Sequence, residues 1–192
     1  MREILNPWTK MAGYNCFGCG PDNPMGARMR FYEEDEADAN GDIVSVWMPT
    51  QNYQSWLNTL HGGMQATLLD EVCGWVVFKK LHTSGVTAKM DLRYKNVVST
   101  VSGPLLLRAR LKHNNHRVAV VEGELRPLVL IEEESVWKEG EPLTLCECTY
   151  FSFAEQKARE MGFMEAVLAD ENLTLEQVIE RAKQPKYKSV RL

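Results

Sequence analysis

The sequence predicts an α+β protein in which an antiparallel β-sheet wraps around one long central helix, with extra C-terminal helices. Three observations predict it. Residues 61–81 form one long helical stretch that is apolar on nearly every side, the pattern of a buried helix. Two alternating, β-prone runs precede that stretch and four follow it, each bounded by turn residues, as in antiparallel neighbours. Beyond residue 153 the apolar residues recur at helical spacing. An antiparallel sheet needs one face covered, and 61–81 is the long apolar helix available to cover it.

Taken in order, residues 1–25 are rich in Gly, Pro and Asn and read as a mostly irregular arm. The runs at 28–32 and 43–48 pair as a hairpin across an acidic turn containing Asn40-Gly41-Asp42. Pro49 closes the second strand, and 50–60 is a polar, aromatic loop. The helix then ends on Lys79 and Lys80, which suit the negative end of its dipole. Strands follow at 85–98 and 105–112, then a turn at His113-Asn114-Asn115-His116, and a long returning strand at 117–131. An acidic hairpin tip at 132–142 leads to a last strand at 143–153. From Ala154 onward Met161, Met164, Val167 and Leu168 make one helical stripe, and Leu175, Val178, Ile179 and Ala182 make another. Thr174 and Gln177 have the spacing of a capping box, and the tail from Pro185 reads as loosely held. The organisation is therefore an arm (1–25), one sheet-and-helix domain (26–153) and a C-terminal helical extension (154–192).

With 192 residues, 44% hydrophobic and 25% charged, the chain has the size and composition of one ordinary domain. A net charge of −4 argues against nucleic acid as a partner. No run approaches the ~20 apolar residues of a membrane span, and residues 1–8 show no signal-peptide core, so a cytoplasmic protein is expected. Five cysteines are an odd number for a disulfide framework. Cys16 and Cys19 have zinc-ligand spacing but supply two of four ligands. Cys146 and Cys148 alternate along a strand, so a site of all four thiolates is conceivable. Two reduced thiols in a turn is the reading adopted, with no metal and no cofactor.

The chemistry concentrates at the start of the long helix. His61-Gly62-Gly63 exposes free N–H groups at the positive end of a helix, an anion or oxyanion site. Asp70 and Glu71 sit in the middle of the same helix among Leu68, Leu69, Val72, Cys73 and Trp75. A buried unpaired carboxylate is costly, so one of these acids leaves the core or is kept for its chemistry. Asp70 shares a face with Gly63 but lies about 10 Å further along the axis, too far to act on the atom held at Gly63. Two such helices, antiparallel across a two-fold axis, would bring Asp70 of one to Gly63 of the other. Glu71, about 100° away, is the rival acid or a partner for a sheet cation.

His61-Gly62-Gly63 followed by Leu69-Asp70-Glu71 resembles the signature of the hotdog-fold thioesterases, in particular their phenylacetic-acid-degradation (PaaI-like) branch. The run Cys16-Phe17-Gly18-Cys19-Gly20-Pro21-Asp22-Asn23-Pro24-Met25-Gly26 is similar to a lead-in of that superfamily. The resemblance covers residues 14–153. It implies hydrolysis of an acyl-CoA thioester to a free acid and coenzyme A, with Asp70 as nucleophile or as base for water. It further implies Gly63 N–H as oxyanion donor and Thr87 as the hydroxyl that holds acid or water. The polar position before the glycines falls on Ser55 or Asn58, and His61 orders the turn. Gly62, Trp56 and Met64 would line the substrate, and His116 and Arg117, with Lys112 and His113, would meet coenzyme A phosphates. A hydratase, the second enzyme class on this fold, would need a His after Asp22-Asn23-Pro24, and none follows there. The partners implied are the small-molecule acyl-CoA and a second copy of the chain, as a homodimer or a dimer of dimers. A non-catalytic acyl-CoA-binding protein is the alternative.

Overall fold

A computed structural model describes residues 1–34, 41–115 and 117–183; the start of the acidic turn at Asn40, the site candidate His116 and the tail from Pro185 lie outside the described residues. In chain order the elements are β1 (Arg2–Leu5), β2 (Phe31–Glu33), β3 (Ile43–Trp47), α1 (Gly62–Lys80), β4 (Gly85–Tyr94), β5 (Leu105–Asn115), β6 (Val118–Ile131), β7 (Val136–Glu139), β8 (Thr144–Ser152), α2 (Glu155–Glu160), β9 (Val167–Asn172) and α3 (Leu175–Lys183). The strands form one sheet in the order β4-β8-β6-β5-β3-β2-β1-β9, with β7 paired to β6 off this path. Every pairing is antiparallel. The sheet curves around α1, which packs on β3, β4, β5, β6 and β8.

The central helix is held by burial rather than by amphipathic patterning. Leu68, Leu69, Val72, Cys73, Trp75 and Val76 have no exposed surface and pack with Leu107, Ala109, Ala119 and Val121 of the sheet. Full burial of each large aliphatic side chain contributes about 1.5–3 kcal/mol. The less buried positions Gly63, Thr67, Asp70 and Gly74 recur at helical spacing, so α1 has one narrow open face. Asp70 lies on it.

Strand β3 is buried at all five positions, because it is covered from both sides. Its inward Ile43 and Trp47 join the core under α1, whereas Val44 and Val46 join a second cluster with Leu173, Val178 and Ile179. The latter residues bring α3 onto the outer face of the sheet. The capping box at its start forms: Gln177 Oε1 accepts from the Thr174 N–H at 2.8 Å, and Thr174 Oγ1 from the Gln177 N–H at 3.4 Å.

Several expectations change. The N-terminal arm is not wholly irregular, since Arg2–Leu5 pairs with both β2 and β9. The stripe Met161-Met164-Val167-Leu168 is not a helix. Helix α2 ends at Glu160, Gly162 follows at φ +88°, and Val167 and Leu168 run as an edge strand beside Leu5 and Ile4. A left-handed glycine stops a helix, and the unpaired edge of β1 offers backbone partners that helical spacing cannot reveal. The strand expected at 85–98 stops at Tyr94. The expected turn at 113–116 is shorter, because β5 runs on to Asn115 through a bulge between Leu111 and His113. Among the described residues, no helix is long and apolar enough to cross a membrane.

Candidate active site

Helix α1 begins with a histidine cap. His61 stands in extended conformation at the N-cap, and its Nδ1 accepts the Gly63 N–H at 2.9 Å. The His61 carbonyl accepts from Met64 and Gln65. The Gly63 donor, expected to be free for an oxyanion, is therefore occupied. The Gly62 N–H has no intrahelical acceptor, as the first helical residue never does, and none of the described residues accepts it. A histidine side chain folding back as a cap leaves no spacing signature, so the open N–H at this end of α1 is that of Gly62 and not of Gly63. Tyr94 steadies this end, donating its hydroxyl to the Gly62 carbonyl at 3.0 Å.

Two turns further on, Asp70 is half-buried and gripped by two hydroxyls. Thr87 Oγ1 donates to Asp70 Oδ1 at 2.8 Å, and the Tyr150 hydroxyl donates to the same oxygen at 3.0 Å and to the Asp70 carbonyl at 2.8 Å. Thr87 reaches the helix because β4 carries a bulge between Thr87 and Lys89, a device that re-aims a side chain. Oδ2 makes no hydrogen bond within the described residues, so one oxygen is fixed and the other is open. Tyr150 was not among the sequence candidates. It lies 80 residues from Asp70, and its signal was faint: an inward position on β8 where a buried tyrosine needs a partner for its hydroxyl. Burial, then the neighbouring Cys73 and Asp70, push its pKa well up, so it stays a donor.

The remaining candidates scatter. Met64 is buried at the helix start and, with Phe17, Tyr53, His61, Gly63 and Thr67, lines a shallow hollow. Trp56 is 82% exposed. Ser55 turns its hydroxyl to the Thr59 carbonyl at 3.4 Å. Asn58 stands at φ +59° with its backbone bound to Gln54 and Thr100; neither side chain has a bond to Asp70. Lys112 is no free cation, because Glu122 and Glu147 each hold it at 2.7 Å. Arg117 is exposed beside the Tyr150 end of β8, where with Lys157 it borders an apolar hollow lined by Val118, Phe151 and Phe153.

Glu71 faces the other way, into the loop that carries Cys16 and Cys19. Burial pushes its pKa up to about 7, and the neighbouring Cys16 adds to the rise. The Cys16 thiol is held down to about 5, chiefly by its hydrogen bond with Cys19. The four thiolates do not come together: Cys146 and Cys148 join Cys73 in the core, with Cys73 and Cys146 sulfurs 3.7 Å apart.

Residues 57–128 match the family model of the thioesterase superfamily. A search of curated proteins finds no match. Among solved structures, a thioesterase superfamily protein is similar over 71% of this chain and 59% of its own, at 24% identity and a TM-score of 0.56. The chain has the hotdog fold. It thus spans about three-fifths of the length of that first relative. A hypothetical thioesterase of Streptococcus pneumoniae TIGR4, solved with coenzyme A, shares the hotdog architecture over 64% of this chain and 87% of its own, at 20% identity and TM-score 0.50. A Streptococcus mutans UA159 protein bound to acetyl CoA covers 64% and 88%, at 17% identity and TM-score 0.50.

Proposed function

We propose that this protein is a PaaI-like acyl-CoA thioesterase that works as a homodimer, with Asp70 as its catalytic acid–base or nucleophile. The observation that carries the reading is the Thr87–Asp70–Tyr150 arrangement on the open face of α1. Two hydroxyls on Oδ1 orient the carboxylate and leave Oδ2 to take a proton from water or to attack carbon. As base, Asp70 accepts a proton while the water oxygen bonds to the thioester carbonyl carbon. The C–S bond then breaks, and the proton passes to the departing sulfur. As nucleophile, Oδ2 forms the bond to that carbon, and the C–S bond breaks with coenzyme A leaving as thiolate. Water then hydrolyses the resulting anhydride, giving the free acid, the regenerated Asp70 carboxylate and a proton for the thiolate.

The carbonyl oxygen becomes negative in either route and needs a donor. The Gly62 N–H fills that role, with the dipole of α1 behind it. Eight residues separate Gly62 from Asp70, a rise of about 12 Å, so the pair that shares one substrate comes from two chains. The surface supports such a dimer. Strand β4 is a sheet edge, Val86 and Tyr94 on it are about half exposed, and Asp70 lies beside it on the helix. The free backbone groups of an unpaired edge strand favour pairing with another chain. Arg117 and Lys157 are suited to coenzyme A phosphates near the Tyr150 end. The relatives solved with coenzyme A or acetyl CoA support this ligand class.

The test is free-thiol release from short, long and aromatic acyl-CoAs by wild type and Asp70→Asn. Loss of a positioned acid–base group lowers turnover ~10²–10⁴-fold, with the dimer intact by sedimentation. Binding of acyl-CoA without thiol release by wild type would instead make it a sensor. Full turnover in Asp70→Asn would remove this mechanism.

A further inference from the structure

Behind the helix face that carries Asp70, a second constellation has no part in thioester chemistry. The sulfurs of Cys16 and Cys19 and a carboxylate oxygen of Glu71 all lie within 4.8 Å of one another. Cys16 Sγ is 3.8 Å from Glu71 Oε1 and 3.9 Å from Oε2. Tetrahedral zinc, with bonds of about 2.3 Å to sulfur and about 2.0–2.2 Å to oxygen, holds neighbouring ligand atoms roughly 3.5–3.8 Å apart. The Cys16–Glu71 pair needs only a few tenths of an ångström of closure, and the other two pairs at most about 1 Å.

The loop is built for this approach. Gly18 sits so close to the Glu71 carboxyl that a Cβ there would stand 2.3 Å from Glu71 Cδ. The turn is closed by the Gly20 N–H on the Cys16 carbonyl at 3.0 Å, and the Tyr14 hydroxyl lies 3.0 Å from Cys19 Sγ. Among the described residues, the bonds that reach the Glu71 carboxyl come from the Cys16 thiol and, at 3.3 Å, from the Trp75 indole, neither of which is a cation. A largely buried carboxylate with those partners is poorly compensated.

We propose that Cys16, Cys19 and Glu71 form a zinc-type metal site whose fourth position is taken by water. Two thiolates with one carboxylate select a borderline-soft divalent ion over magnesium or calcium. Cys19 is buried, while Cys16 is only half-buried and gives the ion a way in. The other sulfur cluster, Cys73, Cys146 and Cys148, is buried throughout and covered by Gly123, where a Cβ would stand 2.8 Å from two of the sulfurs; it has no such opening. Bound metal would tie the N-terminal loop to α1 one residue from Asp70. This inference does not depend on the proposed enzymatic activity.

The experiment uses the full chain, stripped with chelator and then titrated with Zn²⁺ and, separately, Co²⁺. One equivalent per chain is expected, with a thiolate-to-cobalt absorption band, tetrahedral visible bands and a higher melting temperature. Cys16→Ser/Cys19→Ser loses the band and the melting shift. Glu71→Gln weakens zinc at least tenfold while the thiolate band persists, which keeps the proposal testable should the double variant fail to fold. Absence of bound metal in wild type overturns it, as does binding unchanged in Cys16→Ser/Cys19→Ser or in Glu71→Gln. A Cys16–Cys19 disulfide in place of metal, seen by peptide mapping of the protein as purified, overturns it too.

Discussion

Replacing Tyr150 by Phe removes one hydroxyl and leaves the ring in its packed place. Tyr150 is 3% exposed and its hydroxyl meets Asp70 twice, at the carboxylate (3.0 Å) and at the carbonyl (2.8 Å). A hydrogen bond to a charged group contributes about 1.5–3 kcal/mol. If that bond orients the reacting carboxylate, its loss lowers kcat ~10- to 150-fold at ~1.4 kcal/mol per decade. Stability falls too, by about 1.5–3 kcal/mol, because the same bond to the charged carboxylate is lost from the folded chain. The assay is free-thiol release across substrate concentration, beside urea unfolding of the same preparation. The fall should appear in kcat with KM nearly unchanged. Thr87→Val should show a similar fall, and the double variant should be less than multiplicative, since both hydroxyls serve one oxygen. Turnover of Tyr150→Phe within twofold of wild type would refute the reasoning, as would an effect confined to KM.

Other outcomes follow from the same geometry. Val86→Arg places a charge on the exposed β4 edge; sedimentation should show monomers, and thiol release should disappear with the dimer. Gly123→Ala would put a Cβ 2.8 Å from the sulfurs of Cys73 and Cys146, and such overpacking should cost about 1–3 kcal/mol, read as a lower urea midpoint. Ile179→Ala empties the contact of α3 with the outer sheet face, where Ile179 has no exposed surface, at about 2–5 kcal/mol. Cys16, held down to about 5 by Cys19 and nearby N–H groups, should be alkylated ahead of the other cysteines in metal-free protein at pH 7. Because the thiolate is the reactive form, its rate should hold as pH falls toward about 5 and drop tenfold per unit below that. Mass spectrometry of the labelled peptides reads it.

The sequence by itself determined what depends on neighbours along the chain. The buried helix, the alternating strands and the capping box at Thr174 are local patterns, each with its own period or spacing, and the structure contains them. The glycine turn and the acid two turns beyond it were legible for the same reason. Only the tertiary structure decided which groups meet across the sheet. The pairing of Tyr150 with Thr87 places its hydroxyl on Asp70, and strand register is a property of two segments, not one. The pairing of Glu71 with the loop at Cys16, the split of the cysteines into two clusters, and the strand that replaces the expected helix at 167–172 have the same origin. At the start of α1 both levels act at once. The sequence supplies the free N–H groups, and the fold of one histidine ring decides that Gly62, rather than Gly63, keeps its own.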